Sequence, residues 1–481
     1  MKKFLFIIFQ LCLTYCALAQ CTFEHYFPYY PAPKNKALLL SDGGYLSYSA
    51  AWKDTFYFGL KESDMVLVKT DSCGNVVWIN DTGYVADGDP DKYAVEMDSG
   101  NIMIVGYTAA GLPGSMGNIR VGKYNAKGKL VKEKLLPGSP ISISNGVVKS
   151  TFKVNSYLVS GWTHNVGTEI SKPLLFELDG NLNIKRGKEF QYSELTNKDS
   201  ITSGGLSFVN IADSNTIYCM ASLGTMNDGK AYLVELDSAF SVKKSIIPHK
   251  DTIYNFGFSD MILSKNKSHF DCYGTYKPSK MDSPKECVFK MDLEGNIQNI
   301  VYFSDTIYNI ACMSPTQDGG YIISSTQLVK IDSNFTVEWV KSIRGWGLLS
   351  VEELPGGGYI AAGISDLHTQ SLGYEPGYNE MYLVKMDKDG NYIHTGVKDP
   401  DPSASRQIVV YPNPTNTTLT IQSKQPYSSI ELYNTTGNLV LKETNTPETM
   451  SVSALPQGLY ILRILGPQQE VVATVKVSVV H

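Results

Sequence analysis

The sequence predicts an all-β protein: a seven-bladed β-propeller followed by a small C-terminal β-sandwich. Three observations carry this expectation. A two-part strand-and-turn unit recurs seven times between residues 34 and 394. No stretch sustains a helical period. The chain is rich in tyrosine (30) and glycine (41), which suit strands and tight turns.

Each unit has two halves. The first is a Gly-marked turn into an apolar strand, as in Asp42-Gly-Gly-Tyr45, Gly100-Asn-Ile-Met-Ile-Val-Gly106 and Gly357-Gly-Tyr359-Ile-Ala-Ala-Gly363. The second is an alternating strand that runs into an acidic or amide marker, a Gly-Asn turn and another strand, which is the sequence form of a β-hairpin. Its clearest copies are Asp64 to Asn75, Lys285 to Asn296 and Asn379 to Asn391. The markers are Asp71, Asn125, Asp179, Asp237, Asp292, Asp332 and Asp387, mostly about 54 residues apart. The Asp292 to Asp332 interval is shorter but still holds both halves, so it has lost a loop and kept a blade. An apolar segment before each first half and a strand after each second half bring the unit to four strands, A to D. The phase starts on A and ends on D, so the ring is expected to close without borrowing a strand. Residues 20–33, rich in aromatics and proline, are expected to form an N-terminal arm helping blade seven to pack on blade one.

The first 19 residues run Lys2-Lys3, an apolar stretch from Phe4 to Leu13, then Ala17-Leu18-Ala19. That order is a secretory signal peptide, cleaved near Ala19. Gln20 argues against acylation of Cys21, and no later run is long enough for a transmembrane segment. A formal net charge of −5 with no basic patch gives no reason to expect nucleic acid as a partner. Six cysteines lie beyond the leader without a Cys-x-x-Cys pair, which argues against zinc. Cys272 and Cys287 fall on adjacent antiparallel strands and are the expected disulfide. The alternative is that they are small buried strand residues.

The tight A-to-B and C-to-D turns crowd one face of the ring, leaving the long, variable B-to-C and D-to-A connections on the other. Such a loop face is where binding or catalysis is usually carried. It collects Trp52, Tyr57, Trp162, His164, Trp346, His368 and Tyr374, rings that suit stacking on sugars or gripping a protein. Asp87, Asp89 and Asp91 form an oxygen-rich loop there that would suit Ca²⁺, the one cofactor the sequence suggests. Asp387-Lys-Asp389-Gly-Asn opens like a calcium loop but lacks a carboxylate at the twelfth position, so it reads as a hairpin turn. No nucleophile elbow, His-Glu-x-x-His, P-loop or dinucleotide fingerprint occurs, and no catalytic residue is assigned.

Residues 395–405 turn to Pro, Asp and Ser and read as a linker, after which residues 406–481 show five short strands of a sandwich. The phrase Val68-Lys-Thr-Asp71-Ser-Cys-Gly74-Asn75-Val-Val-Trp78 resembles bacterial β-propeller repeats. Tyr411-Pro412-Asn413-Pro414, then Glu431 to Gly437, then Gly458-Leu-Tyr460, resemble the signature segments of the type A C-terminal sorting domain of the Bacteroidetes type IX secretion system. That resemblance implies the type IX machinery as a partner and a secreted or outer-membrane surface-attached destination. The expectation is a surface propeller that binds a glycan or an extracellular protein. The competing readings are a carbohydrate-active hydrolase or lyase, and a scaffold that binds nothing.

Overall fold

A computed structural model describes residues 22–27, 30–31, 35–52, 64–80, 93–109, 116–137, 141–165, 170–196, 201, 203–225, 228–249, 255–277, 285–303, 307, 310–343, 347–365, 380–392, 408–411, 415–423, 426–434, 438–444, 447–467 and 471–479. The chain divides into two compact units at residues 393 and 394.

The first unit is a propeller of seven antiparallel sheets. In blade one, strands A to D are Lys36–Leu39, Tyr45–Trp52, Asp64–Thr70 and Val76–Asn80. Blade two repeats them as Tyr93–Glu96, Ile102–Ala109, Met116–Tyr124 and Leu130–Leu135, and blade three as Ile141–Lys149, Ser156–Asn165, Ile170–Asp179 and Ile184–Glu189. Blade four is Ser203–Ile211, Thr216–Thr225, Asp228–Asp237 and Val242–Ile246; blade five is Asn255–Leu263, His269–Lys277, Lys285–Asp292 and Ile297–Tyr302. Blade six is Cys312–Pro315, Tyr321–Ser324, Gln327–Ile331 and Val337–Ser342. Blade seven has A, B and C at Gly347–Glu353, Tyr359–Ser365 and Glu380–Met386.

The outer strand of blade seven corrects the expected closure. Phe23–Phe27, the start of the supposed arm, pairs antiparallel with strand C of blade seven, Phe23 opposite Lys385 and Phe27 opposite Met381. The ring therefore does borrow a strand across its ends. Phe23 and Phe27 are both buried, and the Glu24 carboxylate accepts hydrogen bonds from Tyr26 and Tyr382. Tyr30–Pro31 adds to strand B of blade one. The alternation Phe-Glu-His-Tyr-Phe thus does the work of a strand D.

The turn after every strand C is built alike. The marker's Oδ1 accepts the N–H groups two and four residues on: Cys73 and Asn75 at Asp71, Asn181 and Asn183 at Asp179, Asp389 and Asn391 at Asp387. The same pair of bonds recurs at Asn125, Asp237, Asp292 and Asp332. The third residue after the marker lies in the left-handed region, which makes this a type I turn closed by a bulge, longer than a two-residue Gly-Asn turn. It is Gly74, Gly128, Gly295 or Gly390 in four blades, but Leu182, Phe240 and Phe335 in the other three. These three side chains are almost fully buried.

The difference is one of space filling between neighbouring blades. Where the turn has glycine, a side chain from the preceding blade's strand D occupies the position a Cβ would take: Trp78 on Gly128, Trp339 on Gly390, Ile246 on Gly295 and Phe23 on Gly74. Where it has Leu or Phe, the turn fills the space itself. Polar clasps reinforce the junctions: Trp78 Nε1 donates to Ala126 O, Lys132 Nζ to Asn181 O, Lys244 Nζ to Leu293 O and Lys385 Nζ to Ser72 O.

The expected Cys272–Cys287 disulfide is not formed; both are buried free thiols. Cys272 stands opposite Phe289 and Cys287 opposite Gly274, so the register sets them two residues apart. Burial pushes the Cys287 thiol up to about 12, as for an inert core residue. Cys73 is the disulfide-bonded cysteine among the described residues.

The second unit is a two-sheet sandwich. One sheet orders Ile408–Tyr411, Thr418–Ser423 and Thr449–Ser451; the other orders Leu439–Thr444, Ser429–Asn434, Gly458–Leu465 and Val471–Val479. Leu419, Ile430, Leu432, Leu462, Ile464 and Val477 fill its core.

Candidate functional site

Chain direction fixes the faces. Strand B of blade three ends at Asn165 and strand C begins at Ile170, so the B-to-C connection leaves from the rim where strand A begins, Ile141 pairing with His164. Trp162 and His164 stand at that rim on the same side of strand B, two residues apart. Their rings meet edge to face at 6.5 Å, and His164 Nδ1 lies 3.1 Å from the buried Ser171 Oγ. Trp162 is half-buried because its indole leans on Gly205 of blade four, where a Cβ would sit 3.0 Å from Cδ1. One of the expected ligand rings is thus also a wedge between blades.

Trp52 ends strand B of blade one at the same rim, its backbone opposite Tyr30. Tyr57, Trp346, His368 and Tyr374 lie outside the described residues, as do Asp87, Asp89 and Asp91. Among the described residues no group of three or more His, Cys, Asp and Glu is arranged to hold a metal.

The inner strands carry a polar set that sequence reasoning missed. Strand A is bulged in blades three, five and seven, between Ser144 and Gly146, Phe258 and Asp260, and Leu348 and Ser350. Gly161, Gly274 and Gly363 of strand B stand opposite these bulges, the last two with no room for a Cβ. Neighbouring inner strands are tied by Asn145 Nδ2 to Leu206 O, Asn210 Nδ2 to Met261 O, and Ala37 N–H to Ser350 Oγ. Lys36 of blade one reaches over the Tyr93 ring of blade two, 4.3 Å from its centroid.

Burial raises the Asp260 carboxyl above the ordinary carboxylate range, opposed by the Met261 N–H at 2.7 Å and by the Lys36 ammonium. Asp260 belongs to blade five and Lys36 to blade one, so their attraction runs across the central channel. Burial likewise raises Glu352 of blade seven, opposed by the Leu39 N–H. Acids held above their usual range by enclosure mark candidate functional positions. Each occurs once and shares no repeat position, so no periodic signal exposes them.

The opposite face offers less. Its repeated aspartates spend their oxygens on their own turns, so the metal-like Asp387-Lys-Asp389 sequence is a hairpin cap. In the sandwich, Tyr460 is buried with its hydroxyl donating to Pro456 O, and Gly458 opens the strand that carries it. Tyr411 ends the first strand, while Pro412, Asn413, Pro414 and Gly437 lie outside the described residues.

Residues 409–478 match the family described as the secretion system C-terminal sorting domain. No curated protein matches the chain. Solved structures with similar coordinates include PorZ, a bacterial surface component of the type-IX secretion system of Porphyromonas gingivalis, at 12% identity and TM-score 0.38, covering 92% of this chain and 59% of that one. The extracellular domain of a hybrid two-component system from B. thetaiotaomicron follows at 10% identity and TM-score 0.43, covering 95% and 59%. The WD40 β-propeller domain of Doa1 is similar at 12% identity and TM-score 0.38, covering 76% and 99%. This chain therefore spans 59% of the length of each of the first two. The fold itself rests on the seven sheets. No helix among the described residues is long and apolar enough to cross a membrane. The chain is a β-propeller protein carrying a type IX sorting domain, which sends it outside the cell or to its surface.

Proposed function

We propose that the propeller is a surface binding module that takes a glycan or an extracellular protein on its loop face, around the mouth of the central channel. The observation that carries this reading is the asymmetry of the ring. On the turn face the marker residues are consumed in capping backbone N–H groups. The loop-face rim instead presents Trp162 and His164, half-buried and in ring contact. Aromatic area at low entropy cost is what stacking on a sugar or anchoring a protein needs. The sorting tail supports placement where such ligands are met. A glycan and host-protein array probed with the propeller freed of its tail, run beside turnover assays on the best binders, tests the proposal. Saturable binding without product release is expected. Product release would favour a hydrolase or lyase, and failure to bind any probe would favour a scaffold.

A further inference from the structure

We infer that Cys73 is bonded to Cys21, and that this disulfide staples the ring-closing strand to blade one. Cys73 is disulfide-bonded, while Cys219, Cys272, Cys287 and Cys312 carry free thiols. Three cysteines remain, and Cys12 and Cys16 belong to the apolar leader. Cys21 stands two residues before Phe23, whose ring lies where a Cβ of Gly74 would be, 2.6 Å from that position. Gly74 directly follows Cys73, so the described contact brings the chain just after Cys21 onto the turn that holds Cys73. Hydrogen bonds from Phe23–Phe27 secure the strand to blade seven. The staple would secure its start to blade one, across the only junction where two blades are joined by chain ends.

Forming the bond removes one proton from each thiol and two electrons in all. The electrons pass to the disulfide of an oxidised thiol–disulfide carrier protein, which is left as a dithiol. Cys21 is then closed to acylation, so attachment at the surface would fall to the C-terminal tail. A cross-link closing a loop of roughly 50 residues restricts the unfolded chain strongly.

Peptide mapping of the exported, unreduced protein tests the assignment. One cross-linked peptide pair containing residues 21 and 73 is expected, with the other four thiols alkylated after unfolding. Alkylated Cys73, or Cys73 linked elsewhere, would overturn it. Cys21→Ser and Cys73→Ser should each lower the thermal midpoint by about 5 °C, with no further fall in the double variant. A reductant should lower the wild type to the same point and leave the variants unmoved. A reductant-insensitive wild type would overturn the stapling role even if the bond were found.

Discussion

At Gly128 the backbone has φ +75°, and a Cβ would lie 2.5 Å from Trp78 Cζ3. At Gly43 the φ is +81°, but nothing lies within 4 Å of that position. The two glycines separate backbone cost from packing cost. Gly43→Ala should lose about 1 kcal/mol, the cost of an L-residue in the left-handed region. Gly128→Ala should lose about 3 kcal/mol, because the indole must also move. Urea unfolding of both variants measures the difference; equal losses would mean that Trp78 does not clasp the next blade. Asp260 gives a test by pH. Its carboxyl is raised by burial, so below about pH 4 it is protonated in both folded and unfolded chains and contributes nothing. As pH rises, the unfolded chain ionises first, and stability is lost until the folded carboxyl ionises too. Asp260→Asn should therefore melt with the wild type at pH 3.5 and about 1–2 °C above it at pH 7. A lower midpoint at pH 7 would show that the charge stabilises the inner strands.

The element most at variance with the sequence reading is the first strand. Phe23 and Phe27 are about 5% exposed, one on the blade-one turn and both within the apolar cluster shared by blades one and seven. Phe23→Ala should cost about 3 kcal/mol. Val77→Ala, on the exposed outer strand of blade one, should stay within about 0.5 kcal/mol. Guanidinium titration of both checks this, and a near-neutral Phe23→Ala would mean that the ring closes without that strand. The repeat was legible because marker, turn and strand D recur at fixed spacing, and Asp71 to Trp78 shows every part. Closure was not, because the pairing of Phe23 with Lys385 spans almost the whole propeller and leaves no local trace. Leu182, Phe240 and Phe335 escaped for another reason: they serve the glycine position with an opposite residue type. The cysteine pairing failed on register, since a shift of two residues leaves the strand pattern unchanged while separating the thiols.

Across the whole molecule, the two faces divide the work. The turn face is assembled from caps and clasps that hold blade to blade, and its acidic residues already have partners. The loop face and the channel carry what the repeats do not need: Trp162, His164, Lys36 and Asp260, while Glu352 lies at the other end of its strand A, beside the A-to-B turn. The sequence could place Trp162 and His164 on that face because strand and turn order sets it. It could not show that Trp162 would also lean on Gly205, since blade-to-blade contacts follow from ring geometry. The inner charges were hidden for want of a repeat. The direct test of the account is the affinity of the tail-less propeller for its best array ligand, measured by surface plasmon resonance on folded variants with matched thermal midpoints. Trp162→Ala and His164→Ala should each weaken binding about tenfold or more, while Phe152→Ala on the turn face leaves it unchanged. Binding lost with Phe152→Ala and kept in the other two would contradict it.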